Sequence, residues 1–344
     1  MSTGILLVNL GSPKSTKTSD VKSYLDEFLM DKYVIDLPYV LRYLLVKGII
    51  LNVRPKKSAH AYKSIWWDDG SPLIVISEQV KSKLSAITTT PVALAMRYAS
   101  PSIEDGIRQL LDQDPAIKRV IVCPLYPHYA MATTQTVVEK TNQVAKEHFP
   151  TLSFSYVPPF YDHSSYIHAL SSHINDHLTN EVDYLLFSYH GVPVRHLKKT
   201  DPTGKHCFKI KDCCFIPNKD SHPVCYAHQV KRTTQLVMEN INMPYKQWSW
   251  AFQSRLGLDQ WLEPFADNEI ERLAKSGVKH LAVCCPAFVS DCLETLEEIG
   301  EEGRDIFLEN GGESFTLIPC LNDNDRFINV LNELITHEME LQAT

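Results

Sequence analysis

Short apolar runs of strand length recur along the whole chain and alternate with amphipathic segments of helix length. Several runs are apolar on both faces, as in parallel strands that helices cover on each side. Helical periodicity is clearest in residues 133–147 and 227–240, and residues 323–342 are expected to form a closing helix. The apolar runs are residues 4–10, 92–96, 120–125, 152–157, 184–189, 245–252, 280–285 and 314–318. This alternation predicts an α/β fold with parallel sheets.

The number of strands suits two lobes better than one. We predict two Rossmann-like lobes, each with a four-stranded parallel sheet flanked by helices. The N-terminal lobe would span residues 1–158 and be joined by the C-terminal helix at 323–344. The C-terminal lobe would span residues 159–322 and contain a cysteine loop at 205–226. Two prolines, Pro158 and Pro159, mark the expected crossing between the lobes.

Composition narrows the classes of function. The chain has 344 residues and a net charge of −7, which gives no electrostatic argument for nucleic acid or anionic lipid as a partner of the whole fold. The N-terminus shows no signal-peptide pattern, so we expect a cytoplasmic protein. The longest apolar stretch, residues 39–53, is interrupted by Arg42 and Lys47 and is shorter than a spanning helix. It would form a core helix or a pocket-lip helix, or would attach weakly to the inner membrane surface.

Two glycine-rich nucleotide motifs are missing where they would be expected. The first strand is followed by Asn-Leu-Gly-Ser-Pro at residues 9–13, and Gly-Ser-Pro recurs at residues 70–72. Neither is a Gly-x-Gly-x-x-Gly turn or a P-loop. We therefore expect no nucleotide cofactor.

An imidazole and a row of carboxylates follow two of the predicted strands. His190 ends the run Phe-Ser-Tyr-His-Gly-Val-Pro at residues 187–193. Asp291, Glu294 and Glu298 are spaced i, i+3 and i+7, which puts them on one face of an α-helix. Because ligands bind at the carboxyl ends of parallel strands, we expect both groups to face one cleft between the lobes. Such a set can move protons or hold a divalent metal.

Less specific interpretations of these residues stay open. His190 could be a core histidine bonded to a backbone carbonyl. The carboxylates could be solvated acids that favour the start of a helix.

Aromatic and arginine side chains follow the other strands. Arg97 and Tyr98 follow one strand, Tyr126 follows another, and Trp261 follows a third after a short loop. Aromatic walls and an arginine that binds carboxylate would suit a flat apolar ligand with acidic groups. Each aromatic could equally be an ordinary core residue.

Four cysteines lie within one lysine-rich loop. Cys207, Cys213, Cys214 and Cys225 are interleaved with His206, His222 and His228. Thiolates in a short loop suit zinc or an iron–sulfur cluster. The adjacent pair Cys213–Cys214 is awkward for a tetrahedral zinc site.

Together these motifs resemble the ferrochelatases, which complete haem synthesis by placing Fe²⁺ in a porphyrin. The motifs are residues 7–13, 70–73, 187–193, 252–255 with 261–262, and 291–298, in the family's order along nearly the whole chain. The cysteine loop resembles that of a bacterial subgroup in which an internal loop binds a [2Fe–2S] cluster.

The resemblance implies a lyase that converts protoporphyrin IX to protohaem with release of two protons. His190 and Glu294 would meet the metal and the porphyrin centre, and Asp291 and Glu298 would continue an acidic path. The expected substrate contacts are Arg97, Tyr98, Tyr126, Trp261 and Ser71. The expected cluster ligands are Cys207, Cys213, Cys214 and Cys225. The chain departs from some relatives at Cys292, where they carry histidine.

Other functions remain as alternatives at this point. The protein could use coproporphyrin, or could be another tetrapyrrole chelatase such as a cobalt chelatase. A more distant alternative is an iron–sulfur sensor or metal carrier without catalytic activity. His190 could act as proton acceptor or as iron ligand.

Overall fold

The computed structural model describes residues 2–242, 247–255, 257 and 259–341. The predicted first residues of the sixth strand, 245–246, and the predicted helix end at residue 342 lie outside the described residues. Two compact units make up the chain. The first is Met1–Leu125, Met131–Pro158 and Asp323–Thr344, and the second is Tyr126–Ala130 and Pro159–Asn322. Residues 126–130, which the sequence analysis assigned to the N-terminal lobe, thus belong to the second unit.

The first unit contains four strands and seven α-helices among its described residues. The strands are β1 Ser2–Asn9, β2 Val92–Met96, β3 Ile117–Pro124 and β4 Ser153–Tyr156. The helices are α1 Thr18–Leu29, α2 Tyr39–Leu45, α3 Leu51–Ile65, α4 Pro72–Ile87, α5 Ile103–Gln113, α6 Thr136–His148 and α12 Asp325–Leu341. Short π-helical segments, Val46–Ile50 and Met131–Gln135, precede α3 and α6.

The sheet of the first unit is parallel and has the strand order β2-β1-β3-β4. Leu7 of the central strand β1 lies between Leu94 of β2 and Cys123 of β3. All residues of β2 are buried, which explains its continuous apolar run.

The second unit repeats this arrangement. Its strands are β5 Tyr184–His190, β6 Gln247–Gln253, β7 His280–Cys284 and β8 Ser314–Leu317, in the parallel order β6-β5-β7-β8. Its helices are α7 Ser164–His177, α8 Val194–Thr200, α9 Tyr226–Met238, α10 Ala266–Lys275 and α11 Arg304–Glu309, with a 3₁₀ turn at His222–Val224 and a π-helix at Glu294–Gly303. The predicted fold class, two four-stranded parallel sheets flanked by helices, is confirmed.

The core of the second unit packs helices α10 and α11 against the sheet. Leu186 and Val283 of the central strands, with Ile270 and Phe307 of the helices, are buried in one cluster. From β5 the chain adds β6 on one side of the sheet and then crosses over to add β7 on the other side, so the order of strands switches between β5 and β7. In open α/β sheets this reversal opens a crevice at the carboxyl ends of the strands, where ligands bind. His190 ends β5 at this edge.

The apolar stretch 39–53 is largely exposed, so the prediction of a core helix is wrong. Seven of its apolar side chains are between 45 and 70 % exposed: Tyr39, Val40, Leu41, Tyr43, Leu44, Ile49 and Val53. Arg42 is buried instead and donates to the carbonyls of Ile35 and Leu37. None of the helices in the described residues has the length and apolarity to cross a bilayer.

Gly11, in the first Gly-Ser-Pro motif, has a conformation that other residues rarely adopt. Its φ is +109°, and a Cβ atom there would lie 2.0 Å from the carbonyl oxygen of Tyr98. The tight approach lets the chain leave β1 beside the segment that follows β2.

We expect Gly11→Ala to lower the free energy of unfolding by at least about 2 kcal/mol, because left-handed backbone strain and a clash with a backbone oxygen add together. Gly48→Ala is the matched control, since a Cβ at Gly48 meets nothing within 4 Å. Urea denaturation of both variants measures the difference. Equal stability of the two variants would contradict the conclusion that position 11 requires glycine.

Candidate active site

His190 is half-buried at the end of β5, and its ring orientation is set by the backbone that follows. Its Nδ1 lies 2.6 Å from the carbonyl oxygen of Gly191. A carbonyl only accepts hydrogen bonds, so Nδ1 carries the proton and the neutral ring has its lone pair on Nε2. Tyr226 donates to the backbone carbonyl of His190 at 2.9 Å, and the ring of Phe288 lies 6.2 Å away. Nε2 is therefore the atom that can accept a proton or bind a metal.

The segment after His190 packs too closely for any residue but glycine. The Gly191 amide donates to the carbonyl of Gln253 at 2.7 Å. A Cβ at Gly191 would lie 2.8 Å from that carbonyl oxygen and 3.2 Å from Cε3 of Trp261. Trp261 is half-buried and forms an antiparallel bridge with Pro193. The sequence-predicted Trp261 thus lies directly beside the loop that orients His190.

Gln253 connects the end of β6 to the acidic helix. Its side-chain oxygen accepts from Oγ of Ser188 at 2.6 Å, and its Nε2 donates to the carbonyl of Glu294 at 2.6 Å. The same side chain therefore bonds to a residue of β5 and to the first residue of the π-helix. Gln253 is not among the site residues predicted from the sequence, although its place at a strand end is a signal of the same kind as that of His190.

The acidic segment differs from the predicted α-helix. The helix begins at Glu294 and is of the π type through Gly303, and Asp291 lies before it. In a π-helix the hydrogen bonds join residues five apart, so the i, i+3, i+7 spacing does not define one face. The predicted single α-helical face of Asp291, Glu294 and Glu298 is therefore wrong.

Both carboxylate oxygens of Glu298 accept hydrogen bonds from Ser254. The amide of Ser254 donates to its Oε1 at 2.7 Å, and the Ser254 hydroxyl donates to Oε2. Ser254 adopts a left-handed backbone conformation with a φ of 65°. Burial raises the pKa of Glu298, the Ser254 hydroxyl and the charge of His190 lower it, and the negative charge of Glu294 raises it further. Glu298 thus lies within electrostatic range of both His190 and Glu294.

Asp291 makes internal hydrogen bonds with both carboxylate oxygens. Oδ1 accepts from Thr295 Oγ1 at 3.0 Å and from the Cys320 amide at 3.2 Å, and Oδ2 accepts from Asn322 at 2.7 Å. Asp291 is 5 % exposed. These contacts suit a residue that positions the start of the helix, and they differ from the expected acidic path in which Asp291 would carry ions or protons.

Arg97 and Tyr98 belong to a buried network in the first unit. Asp31 accepts from the guanidinium of Arg97, from the Tyr98 hydroxyl at 2.9 Å and from Thr136 Oγ1 at 2.5 Å. Tyr98 is completely buried, so its ring does not form the exposed wall that the sequence analysis expected. Burial raises the pKa of Tyr98, which keeps its hydroxyl protonated as a donor.

The other two expected substrate contacts, Ser71 and Tyr126, belong to different units. Ser71 is buried and precedes the first residue of α4 in the first unit. Tyr126 is half-buried in the second unit.

The four loop cysteines lie together with their thiols buried. Cys207, Cys213, Cys214 and Cys225 are all free and at most 6 % exposed. A hydrogen bond with Cys225 raises the pKa of Cys214, and one with Cys207 raises the pKa of Cys225 to about 12. Burial raises the pKa of Cys213, and the neighbouring Cys214 raises it further. Each of the four thiols thus influences at least one other thiol of the loop.

No preformed metal centre of three or more His, Cys, Asp or Glu side chains occurs within residues 2–242, 247–255, 257 and 259–341.

Comparison with known proteins decides the family. The ferrochelatase family model matches residues 2–339. The chain is 49% identical over 331 residues to a ferrochelatase of Pseudomonas fluorescens strain Pf0-1, covering 96% of each chain. It is 46% identical over 328 residues to a ferrochelatase of Pseudomonas entomophila strain L48, covering 95% of this chain and 96% of that one. The chain belongs to the ferrochelatase family.

Solved structures agree with the fold of a ferrochelatase. SirB from Bacillus subtilis with Fe³⁺ matches with a TM-score of 0.55 and 15% identity over 97% of this chain and 96% of SirB. The sirohydrochlorin chelatase SirB from Bacillus subtilis subspecies spizizenii, in complex with cobalt, matches with a TM-score of 0.52 and 13% identity over 100% of this chain and 98% of SirB. At this identity the similarity shows the fold alone.

The raised pKa of Glu298 predicts a pH-dependent gain in stability for Glu298→Gln. An acid whose pKa is higher in the folded than in the unfolded state destabilises the folded protein when it is charged. This destabilisation is absent at low pH, where the acid is protonated in both states. Relative to wild type, the variant should gain stability as pH rises through the ordinary value of 4.5. The gain should level off above the folded pKa.

Urea denaturation of both proteins between pH 4 and pH 8 measures this difference. The wild type is the reference at each pH, so titrating groups that do not interact with Glu298 cancel. A difference that is constant with pH, or that shrinks as pH rises, would contradict a raised pKa for Glu298.

Proposed function

We propose that this ferrochelatase inserts Fe²⁺ into protoporphyrin IX, forms protohaem and releases two protons. The observation that carries the proposal is that His190 at the end of β5 pairs in register with Gln253, whose side chain bonds to the Glu294 carbonyl, while the next residue, Ser254, holds Glu298. The imidazole offers Nε2, and two carboxylates follow on the π-helix. Insertion requires two pyrrole protons to leave while the metal approaches the nitrogen atoms, so it needs a base and an anionic group close together.

His190 is the proposed proton acceptor. The Gly191 carbonyl fixes the proton on Nδ1 and leaves Nε2 basic. The hydrogen bond from Tyr226 holds the backbone of His190, so the ring has little freedom to turn away. The same Nε2 could bind Fe²⁺, and both roles require the same atom in the same place.

Glu294 and Glu298 would interact with the two kinds of charge that move in the reaction, the incoming Fe²⁺ and the released protons. Carboxylate and imidazole bind Fe²⁺ without holding it as strongly as thiolates hold softer metals, so the ion can pass on to the porphyrin. Glu298 interacts electrostatically with His190 and has a raised pKa, which suits it to take a proton from the imidazolium. Asp291 is assigned a positioning role at the start of the helix.

Substrate contacts are proposed separately for each unit. In the second unit, half-buried Trp261 and Tyr126 offer aromatic surface for a porphyrin. In the first unit, Arg97 is held by Asp31, so we assign Arg97 and Tyr98 to supporting the local structure. A substrate contact at Ser71 and the cytoplasmic location stay predictions.

The rival substrates differ in charge and in metal. Coproporphyrin carries four carboxylates where protoporphyrin carries two, and a cobalt chelatase would prefer Co²⁺. Direct competition assays with each porphyrin and each metal distinguish these activities. A sensor or carrier without catalytic activity would bind iron but leave every porphyrin unmetallated.

We expect His190→Ala and Glu294→Gln each to lower the rate of iron insertion at least about 100-fold, because each removes a group that acts on the reacting atoms. The measurement follows porphyrin absorbance after anaerobic mixing with Fe²⁺. Glu302→Gln is the matched control, since Glu302 is exposed on the same helix.

Circular dichroism of the three variants establishes that each is folded. Near-normal turnover in His190→Ala or Glu294→Gln would refute the assigned roles. An equally large loss of the insertion rate in Glu302→Gln would mean that the rate depends on the total negative charge of the helix and not on Glu294 itself.

The cysteine loop would hold a [2Fe–2S] cluster. Four buried cysteines in one loop match the four-cysteine ligand set of such clusters. Zinc remains the alternative, and the adjacent pair Cys213–Cys214 is not a familiar ligand spacing for a structural zinc site. A cluster would supply one-electron chemistry, which the insertion step does not use because iron stays ferrous. Its proposed role is to brace the loop or to make the enzyme sensitive to oxidants.

Cys214→Ser should abolish the red-brown colour that a [2Fe–2S] protein shows when it is prepared anaerobically with iron. Cys214 links two other thiols, so its loss divides the ligand set. Cys284→Ser is the control, because Cys284 is buried in β7, outside the loop. Iron and acid-labile sulfide are measured per chain. A colourless wild type, or a coloured Cys214→Ser, would contradict the cluster.

The exposed apolar stretch 39–53 would contact the surface of a membrane. Its seven exposed apolar side chains are followed on α3 by exposed Arg54, Lys56, Lys57 and Lys63. Apolar side chains next to basic ones are typical of segments that lie in the interface of an anionic bilayer.

We expect Leu41→Ser with Leu44→Ser to reduce sedimentation with vesicles of phosphatidylcholine and phosphatidylglycerol. Ile87→Ser, which changes a similarly exposed residue outside the stretch, should bind as the wild type does. Equal binding by the wild type and the double variant, or no binding by the wild type, would contradict the proposed contact.

A further inference from the structure

The adjacent cysteines Cys213 and Cys214 both have buried thiols. Each residue is 6 % exposed. The pKa of Cys214 is influenced by both Cys213 and Cys225. Side chains of neighbouring residues normally leave the backbone in different directions. For both thiols to serve one cluster, the backbone of the pair must therefore be held in a particular conformation.

Three imidazoles surround the backbone carbonyls of this pair. The Cys213 carbonyl lies 2.8 Å from Nε2 of His206 and 3.2 Å from Nε2 of His222, and these two nitrogens lie 3.3 Å from each other. The Cys214 carbonyl lies 2.6 Å from Nδ1 of His228. Because a carbonyl oxygen only accepts, we assign His206, which makes the shorter contact, as the donor to Cys213 and His228 as the donor to Cys214. Both carbonyls of the cysteine pair are thus occupied by imidazole donors.

The imidazoles are themselves held in place. The rings of His222 and His228 stack with centroids 3.5 Å apart and an angle of 13°. The backbone amides of His206 and Cys207 both donate to Oδ2 of Asp201 at 2.9 Å. These contacts fix both the donors and the first cysteine of the loop.

The backbone and the sulfur of Cys213 are also held by neighbouring residues of the loop. Asp212, directly before Cys213, has a left-handed φ of 56°. The Phe208 amide donates to Sγ of Cys213 at 3.4 Å, so this sulfur also has a fixed direction. N–H···S hydrogen bonds of this kind tune the sulfur ligands of iron–sulfur clusters.

We propose that His206, His222 and His228 are positioning residues for the sulfur site. By donating to the carbonyls of Cys213 and Cys214, His206 and His228 hold two successive peptide groups, and with them the directions of both cysteine side chains, while His222 stacks on His228. The inference rests on the proposed [2Fe–2S] cluster. It explains how an adjacent cysteine pair can serve as two ligands, which the spacing alone made awkward.

Pairs of variants separate hydrogen bonding from general packing. His206→Ala and His228→Ala remove a donor. His206→Gln places an amide donor near the position of Nε2, and His228→Asn places one near Nδ1. His168→Ala, at an exposed histidine on α7, is the control. Full-length proteins are prepared anaerobically with iron, and the readouts are iron and sulfide per chain, the circular dichroism of the cluster and its rate of loss to a chelator.

We expect the alanine variants to lose the cluster about 10-fold faster or more, as for other partners that hold metal ligands in place. The amide variants should recover most of the difference, and His168→Ala should match the wild type. A wild type with a cluster whose alanine variants keep the same spectrum and lifetime would overturn this inference alone. Alanine and amide variants that lose it equally fast would also overturn it. A wild type without iron and sulfide would overturn the cluster proposal and this inference with it.

Discussion

The hydrogen bonds from Ser254 to Glu298 are the constraint on which the candidate active site depends. A carboxylate removed from water is costly unless donors compensate it. Ser254 provides both its amide and its hydroxyl, and does so from a left-handed conformation that is unfavourable for a serine. These two hydrogen bonds keep Glu298 within the electrostatic range of His190 and Glu294. Without them, the Glu298 side chain would be free to turn toward solvent, and His190 would lose its interaction with Glu298.

The parallel sheet makes this arrangement possible. Strands β5 and β6 end side by side, with His190 paired to Gln253 in register. Gln253 then reaches the first residue of the π-helix, while Asp291 secures the turn before it through Thr295 and Asn322. The proposed base and acids therefore come from elements of a single unit, which ties the geometry of the candidate site to the stability of that unit's sheet.

The strands and His190 were predictable because their patterns are local. Continuous apolar runs identify parallel strands, and an imidazole followed by glycine marks a strand end. The π-helix was not predictable, since its residues have no pattern that separates a π-helix from an α-helix. The burial of Tyr98 depends on Asp31, which is distant in sequence, and an aromatic residue after a strand can face either core or ligand. The internal bonds of Asp291 depend on Cys320 and Asn322 in the same way.

The most direct test of the account mixes the wild-type protein anaerobically with Fe²⁺ and protoporphyrin IX in weak buffer with a pH indicator. The account predicts that the porphyrin bands give way to those of haem and that two protons are released for each haem formed. An unchanged porphyrin spectrum, with a protein shown to be folded by circular dichroism, would contradict it.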